Sequence, residues 1–87
     1  MNPKNNAAAG TLESSDVFIT IVPADDLRVE VNSIVQKQWG SQIEKLVKAI
    51  LSEVGFSQGL VTVKDKGARE CTIRARLKTA LRRSGAI

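Results

Sequence analysis

Apolar and polar positions alternate with a period of two over the first strongly hydrophobic stretch of the chain. In Val17-Phe18-Ile19-Thr20-Ile21-Val22, the residues Val17, Ile19 and Ile21 fall on one face and Phe18, Thr20 and Val22 on the other. The β-branched and aromatic content suits a strand. Pro23-Ala24-Asp25-Asp26 interrupts the run, and Leu27 to Asn32 then resumes strict alternation. Leu27, Val29 and Val31 are directed to a core and Arg28, Glu30 and Asn32 to water. The pair is expected to form a hairpin. A helical period follows, with Ile43, Leu46, Val47, Ile50, Leu51 and Val54 making a stripe that one side of a helix can bury. Ser41 and Glu44 have the spacing of a capping box, which would start the helix at that point. Val35 and Trp39 extend the same stripe backwards, so a start near Ser33 with Gly40 inside the helix stays open. Gly55 is the natural stop.

After Gly59, Leu60 to Lys64 reads as a third strand, and Asp65-Lys66-Gly67 turns the chain out of it. Arg69 to Arg83 reads as a second helix that buries Ile73, Leu77, Ala80 and Leu81. The predicted order is β-β-α-β-α. This is an α+β fold, a small two-layer sandwich of a three-stranded sheet with two helices on one face, and its strand-helix-strand crossover should be right-handed if those strands are parallel. Residues 1–15 lack apolar periodicity and are rich in Asn, Ala, Gly and Ser, which suits a mobile N-terminal arm, leaving 16–87 as a single α+β domain.

Composition narrows the chemistry. With 87 residues, 43% hydrophobic and 25% charged, the chain has the make-up of one globular domain. Its apolar runs are too short to cross a bilayer. Met1 to Gly10 does not resemble a secretory signal, so a cytoplasmic location is expected. Cys71 stands alone and there is no His, which leaves no metal site and no Cys/His catalytic pair. Its place in a helical pattern makes Cys71 a small core residue. Glu13, Asp16, Asp25, Asp26 and Asp65 show no spacing that pairs them for acid-base work and suit turns and caps, so no catalytic residue is expected.

The formal charge is +4, and much of the positive charge lies on the second predicted helix at Arg69, Arg74, Arg76, Lys78, Arg82 and Arg83. That face suits a solvated surface or a docking surface for phosphate or protein. Nucleic acid is not the expected partner. Tyr is absent, and Phe18, Trp39 and Phe56 do not make a paired stacking motif, nor is there a Gly-x-x-Gly clamp loop.

Ala9-Gly10-Thr11-Leu12-Glu13-Ser14-Ser15-Asp16 places adjacent hydroxyls in a polar segment ahead of the first strand. On residue types alone, both serines also suit a solvated loop or a strand cap, and spacing does not choose between Ser14 and Ser15. Taken with Val31-Asn32-Ser33-Ile34-Val35-Gln36-Lys37-Gln38-Trp39-Gly40 and Asp65-Lys66-Gly67-Ala68-Arg69-Glu70-Cys71-Thr72-Ile73-Arg74-Ala75-Arg76-Leu77, the segment resembles the acyl carrier protein (gamma subunit) family of citrate lyase from about Ala9 to Gly85. The resemblance implies that Ser14, aligned on Gly10-Thr11-Leu12-Glu13, carries 2′-(5″-triphosphoribosyl)-3′-dephospho-CoA through a phosphodiester. It implies a carrier without an active site of its own. Acetyl would be exchanged for citrate at an alpha (transferase) subunit, and the citryl form cleaved at a beta (lyase) subunit to oxaloacetate and the acetyl form. A dedicated synthase would attach the group and a ligase would acetylate it first. The related malonate decarboxylase carrier, a small basic RNA- or protein-binding module and a scaffold subunit are the alternative readings. The fatty-acid carriers are set apart by their four-helix bundle and Asp-Ser-Leu motif.

Overall fold

A computed structural model of the chain describes residues 2–34 and 37–87. The elements run β1 (Ala7–Gly10), β2 (Val17–Val22), β3 (Leu27–Ser33), α1 (Lys37–Glu53), β4 (Gly59–Asp65) and α2 (Glu70–Ser84). One four-stranded sheet has the order β1-β2-β4-β3. The α+β class, both helices and the three long strands match the sequence pattern. The strand count does not.

The additional strand comes from Ala7–Gly10, within the stretch read from sequence as an N-terminal arm. It pairs antiparallel with β2, Ala9 lying opposite Ile19. Three alanines and a glycine carry no alternation, so periodicity gave no sign of a strand there. Upstream, Asn2 Oδ1 accepts hydrogen bonds from the backbone N–H of Ser57 (2.9 Å) and Gln58 (3.0 Å). The N–H groups of Lys4 (2.7 Å) and Asn5 (3.1 Å) donate to the Ser84 carbonyl.

The expected hairpin of β2 with β3 is replaced by insertion of β4 between them, antiparallel to β2 and parallel to β3. The Pro23–Asp26 connection is long enough to bridge the two strand spacings, about 9.6 Å, that this requires. Central placement suits β4, whose Val61 and Val63 are fully buried while Leu60 and Thr62 on the opposite face are half-covered. At the sheet edge, β3 keeps Val29 and Val31 against the core, but Leu27, expected inside, is exposed at the strand end.

α1 packs over β3, and α2 over β1 and β2. Val17, Ile19, Ile21, Val61 and Val63 from the sheet meet Ile43, Val47, Ile50 and Leu51 of α1 and Ile73, Leu77, Ala80 and Leu81 of α2 in one core that also includes Ala9. α1 begins upstream of the capping-box position, with Gly40, Ser41 and Glu44 inside it. Trp39 packs at the core margin; Val35 lies outside the described residues. Gly55 ends α1 as expected, with φ of 72°. The Phe56 N–H donates to the Leu51 carbonyl and the Gly55 N–H to the Ser52 carbonyl, the paired bonds that satisfy the last carbonyls of a helix. Cys71, expected in the core, is exposed. The buried stripe of α2 runs through Ile73 and Leu77, and Cys71, two residues before Ile73, lies about 160° around the helix from it, outside the apolar arc.

Leu77 has no exposed surface. Leu77→Ala should cost about 2 to 5 kcal/mol, because it removes transfer free energy and leaves a cavity between α2 and the sheet. A urea denaturation midpoint that does not move would contradict this packing.

Candidate functional site

The hydroxyl-bearing segment is the connection between β1 and β2, residues 11–16. Its end of the sheet also holds the ends of β3 and β4 and the start of each helix. Within the loop the Asp16 N–H donates to the Glu13 carbonyl at 3.1 Å, closing a β-turn whose central residues are Ser14 and Ser15. Ser15 has φ of +66°, the positive value that a type II turn needs at its third position. Its N–H donates to the Lys66 carbonyl at 2.8 Å, and the Lys66 N–H returns a bond to the Asp16 carbonyl at 2.9 Å. The two serines, equivalent by spacing, therefore differ in the fold. Ser15 is fastened by its backbone to the β4–α2 connection, whereas Ser14 occupies the outer corner of the turn. Both side chains are exposed.

Asp16 holds this loop in shape. Its Oδ2 accepts from Thr11 Oγ1 at 2.6 Å, and Oδ1 accepts from the Val17 N–H at 2.7 Å. The Thr11 hydroxyl in turn accepts from the Glu13 N–H at 3.2 Å. Arg76 on α2 completes the arrangement with a two-point contact, Nε to Oδ1 and Nη2 to Oδ2, each at 3.2 Å. Such a fork fixes direction as well as distance. The Thr11 hydrogen bond, then the Val17 N–H, and further the Arg76 bonds and charge lower the Asp16 pKa from 3.8 to about 2, against an opposing effect of burial. Asp16 was expected only as a turn or cap residue, and the Arg76 contact, 60 residues away in sequence, had no local signal.

The depressed pKa sets a sign for pH dependence. Ionised Asp16 contributes its stabilisation fully above pH 3.8 and loses it as pH falls through about 2. Asp16→Asn should lower the melting temperature at pH 7 and flatten its fall between pH 4 and pH 2. An Asn variant with the acid profile of the parent would remove Asp16 from this role.

The neighbouring Asp65 is a structural tie. Buried at the end of β4, it accepts from the Ala68 N–H at 2.9 Å and from Ser33 Oγ at 2.8 Å, joining β3 to the approach to α2. The sequence pattern placed Asp65 in the turn after the strand; the structure instead makes it the last residue of β4, and the chain bends at Lys66 and Gly67. Among the described residues no group of acidic, Cys or His side chains could hold a metal ion, and no helix is long and apolar enough to cross a membrane. On α2, Arg74, Lys78 and Arg82 are exposed, Arg74 within 3.6 Å of Glu70. Arg83 instead reaches the β1 backbone, Nη1 donating to the Ala8 carbonyl at 2.8 Å.

Comparison with known proteins gives this geometry a context. Residues 4–84 match the model of the family described as ACP: Malonate decarboxylase delta subunit (MdcD). The citrate lyase acyl carrier protein of Haemophilus influenzae (strain PittEE) is 50% identical over 78 residues, covering 90% of this chain and 82% of that protein. The protein of the same name from Klebsiella pneumoniae is 46% identical over 86 residues, with 97% and 89% covered. That of Treponema denticola is 42% identical over 84 residues, with 97% of each covered. Among solved structures, a chain of a Pseudomonas malonate decarboxylase hetero-tetramer in complex with malonate aligns with a TM-score of 0.81 over 95% of this chain and 87% of that one. At 19% identity that likeness shows the fold. By its sequence over nearly its whole length, the chain belongs to the citrate lyase acyl carrier protein family, whose members are carrier subunits and not catalysts.

Proposed function

We infer that Ser14 is the point at which this carrier holds its prosthetic group, 2′-(5″-triphosphoribosyl)-3′-dephospho-CoA, through a phosphodiester to Oγ. The observation that carries the choice is the position of Ser14 at the exposed corner of the turn, while the Ser15 backbone is bonded to Lys66 at 2.8 Å. A substituent on Ser14 Oγ leaves into solvent without displacing protein, so the residue type and its surroundings fit the group. When attached, the group supplies a thiol that carries acyl units as thioesters.

The chain's own contribution is mechanical. Asp16 and Arg76 fasten the base of the loop to α2, so the arm departs from a fixed point and its flexibility lies in the arm itself. Tethering raises the effective concentration of the acyl unit at each active site within reach. Partners in this reading are the citrate lyase alpha (transferase) and beta (lyase) subunits, the attaching synthase and the acetylating ligase, all in the cytoplasm. Acetyl and citryl units are the cargo.

The exposed row Arg74, Lys78 and Arg82 is the surface of α2 suited to an acidic partner face, since Arg76 and Arg83 are engaged within the fold. Lys78→Glu with Arg82→Glu should weaken co-purification with the alpha and beta subunits and steepen its loss with salt. Undiminished recovery would leave that row a solvated surface. The attachment itself is tested by the intact mass of the protein from its native host and peptide mapping across Ala9 to Asp16. A mass increment of the whole group on Ser14 supports the assignment. The same increment on Ser15 would move the site, and an unmodified chain beside a working attachment pathway would remove it.

A further inference from the structure

At the sheet end that carries the Ser14 loop, the N-terminal half of α1 and the first turn of α2 leave a cleft between them. Trp39, Gln42, Ile43 and Leu46 of α1 and Glu70 and Ile73 of α2 line about 120 Å³. Ile43 and Ile73 are buried, Trp39 and Leu46 are half-buried, and Gln42 and Glu70 are exposed. The Glu70 carboxylate is paired with Arg74 at 3.6 Å. The cleft thus has an apolar floor, Ile43 and Ile73, and a polar rim.

We propose that this cleft receives the acetyl end of the arm carried on Ser14 and shelters its thioester between transfers, while the citryl form stays outside. This rests on Ser14 being the attachment point. Size argues for the first half. An apolar cavity of about 150 Å³ holds benzene, so a cleft of about 120 Å³ matches a group of about five heavy atoms. An acetyl thioester with its adjoining methylene is of that size and carries no charge. A citryl unit has several times as many heavy atoms and free ionised carboxylates, whose transfer to apolar surroundings is unfavourable. Reach argues for the whole. The Ser15 N–H is bonded to the Lys66 carbonyl at 2.8 Å, and Lys66 to Glu70 at the cleft spans at most about 14 Å of chain. A phosphopantetheine-type arm exceeds that when extended.

The test uses the holo-carrier in its free-thiol, acetyl and citryl forms. Trp39 is the sole tryptophan, so its emission reports on the cleft directly, and the methyl resonances of Ile43, Leu46 and Ile73 report on its walls. Acetylation should shift all of these relative to the free thiol, and the citryl form should leave them near their free-thiol positions. With about nine in ten molecules docked, hydroxylamine should cleave the acetyl thioester about tenfold more slowly than it cleaves acetyl-pantetheine in solution. Leu46→Trp, which fills the cleft from a half-buried position, should abolish that protection at an unchanged fold by circular dichroism. Should the variant fail to fold, the resonance shifts of the parent protein still decide. Silent Trp39 and methyl signals in the acetyl form, equal shifts in the citryl form, or cleavage at the rate of acetyl-pantetheine would each overturn the proposal. Peptide mapping of the same sample separates its failure from that of the attachment reading: a group on Ser14 with a silent cleft removes only the docking, whereas a group elsewhere removes both.

Discussion

Ser14→Ala should abolish attachment of the prosthetic group and, with it, citrate cleavage by the reconstituted complex, while leaving the carrier folded. The fold predicts the second part independently of the first. Ser14 is exposed, and the bonds that shape its loop are made by Thr11, Glu13, Ser15 and Asp16. Removing an exposed hydroxyl outside those contacts should change stability by no more than about 0.5 kcal/mol. The expected result is therefore an unmodified mass, an unchanged urea midpoint and no turnover. Ser15→Ala provides the contrast. It keeps the backbone bond to Lys66 and the hydroxyl of Ser14, so modification and turnover should survive. Activity retained by Ser14→Ala and lost by Ser15→Ala would reverse the assignment.

Gly10→Ala should be the most damaging small substitution at the site. Gly10 closes β1 with φ of 94°, and a Cβ placed there would lie 1.8 Å from the Val17 carbonyl oxygen. The obstacle is backbone in the paired strand, which cannot swing aside as a flexible side chain would. Left-handed backbone alone costs an Ala about 1 to 2 kcal/mol; relief of the contact would also pull β1 from β2 and disturb Asp16, the residue before Val17. A loss of about 3 kcal/mol or more is expected, read as a lower urea midpoint together with slower modification by the synthase. A variant as stable as the parent would show that β1 does not approach Val17 so closely. The glycine of the Gly-Thr-Leu-Glu-Ser segment thus has a role distinct from that of its serine: it admits the close strand pairing from which the turn projects.

The elements with a strong apolar period were legible before any coordinates. β2 and the buried faces of α1 and α2 have the positions that alternation and the helical stripe assign, because those patterns record which side of each element faces the core. Leu27 and Cys71 mark the limit of that reasoning. Each is an apolar residue placed by pattern toward the interior, yet one sits at the end of an edge strand and the other on the outer side of α2. Whether a position is covered depends on what packs against it, which no local pattern contains. Of the two helix starts that the sequence left open, the structure takes the earlier one, with Gly40 inside the helix: the apolar stripe reaching back to Trp39 packs against the core, and tertiary burial outweighs the local capping-box signal of Ser41 and Glu44.

The candidate site divides in the same way. Its chemistry was readable as the segment Gly10 to Ser14 and its family resemblance, because the group that attaches needs a particular side chain in a particular run of residues. The clamp from Arg76 to Asp16 and the fastening of Ser15 to Lys66 were not, since both join residues far apart in sequence. The sequence by itself determined the α+β class, the two helices, the three longer strands and the carrier family, all of which rest on local periodicity or contiguous motifs. Only the tertiary structure decided that Ala7–Gly10 is a strand, that β4 separates β2 from β3, and that Ser14 and Ser15 are held differently. Those outcomes depend on hydrogen bonds and burial between distant segments, whose free energies exist only once the chain has closed on itself.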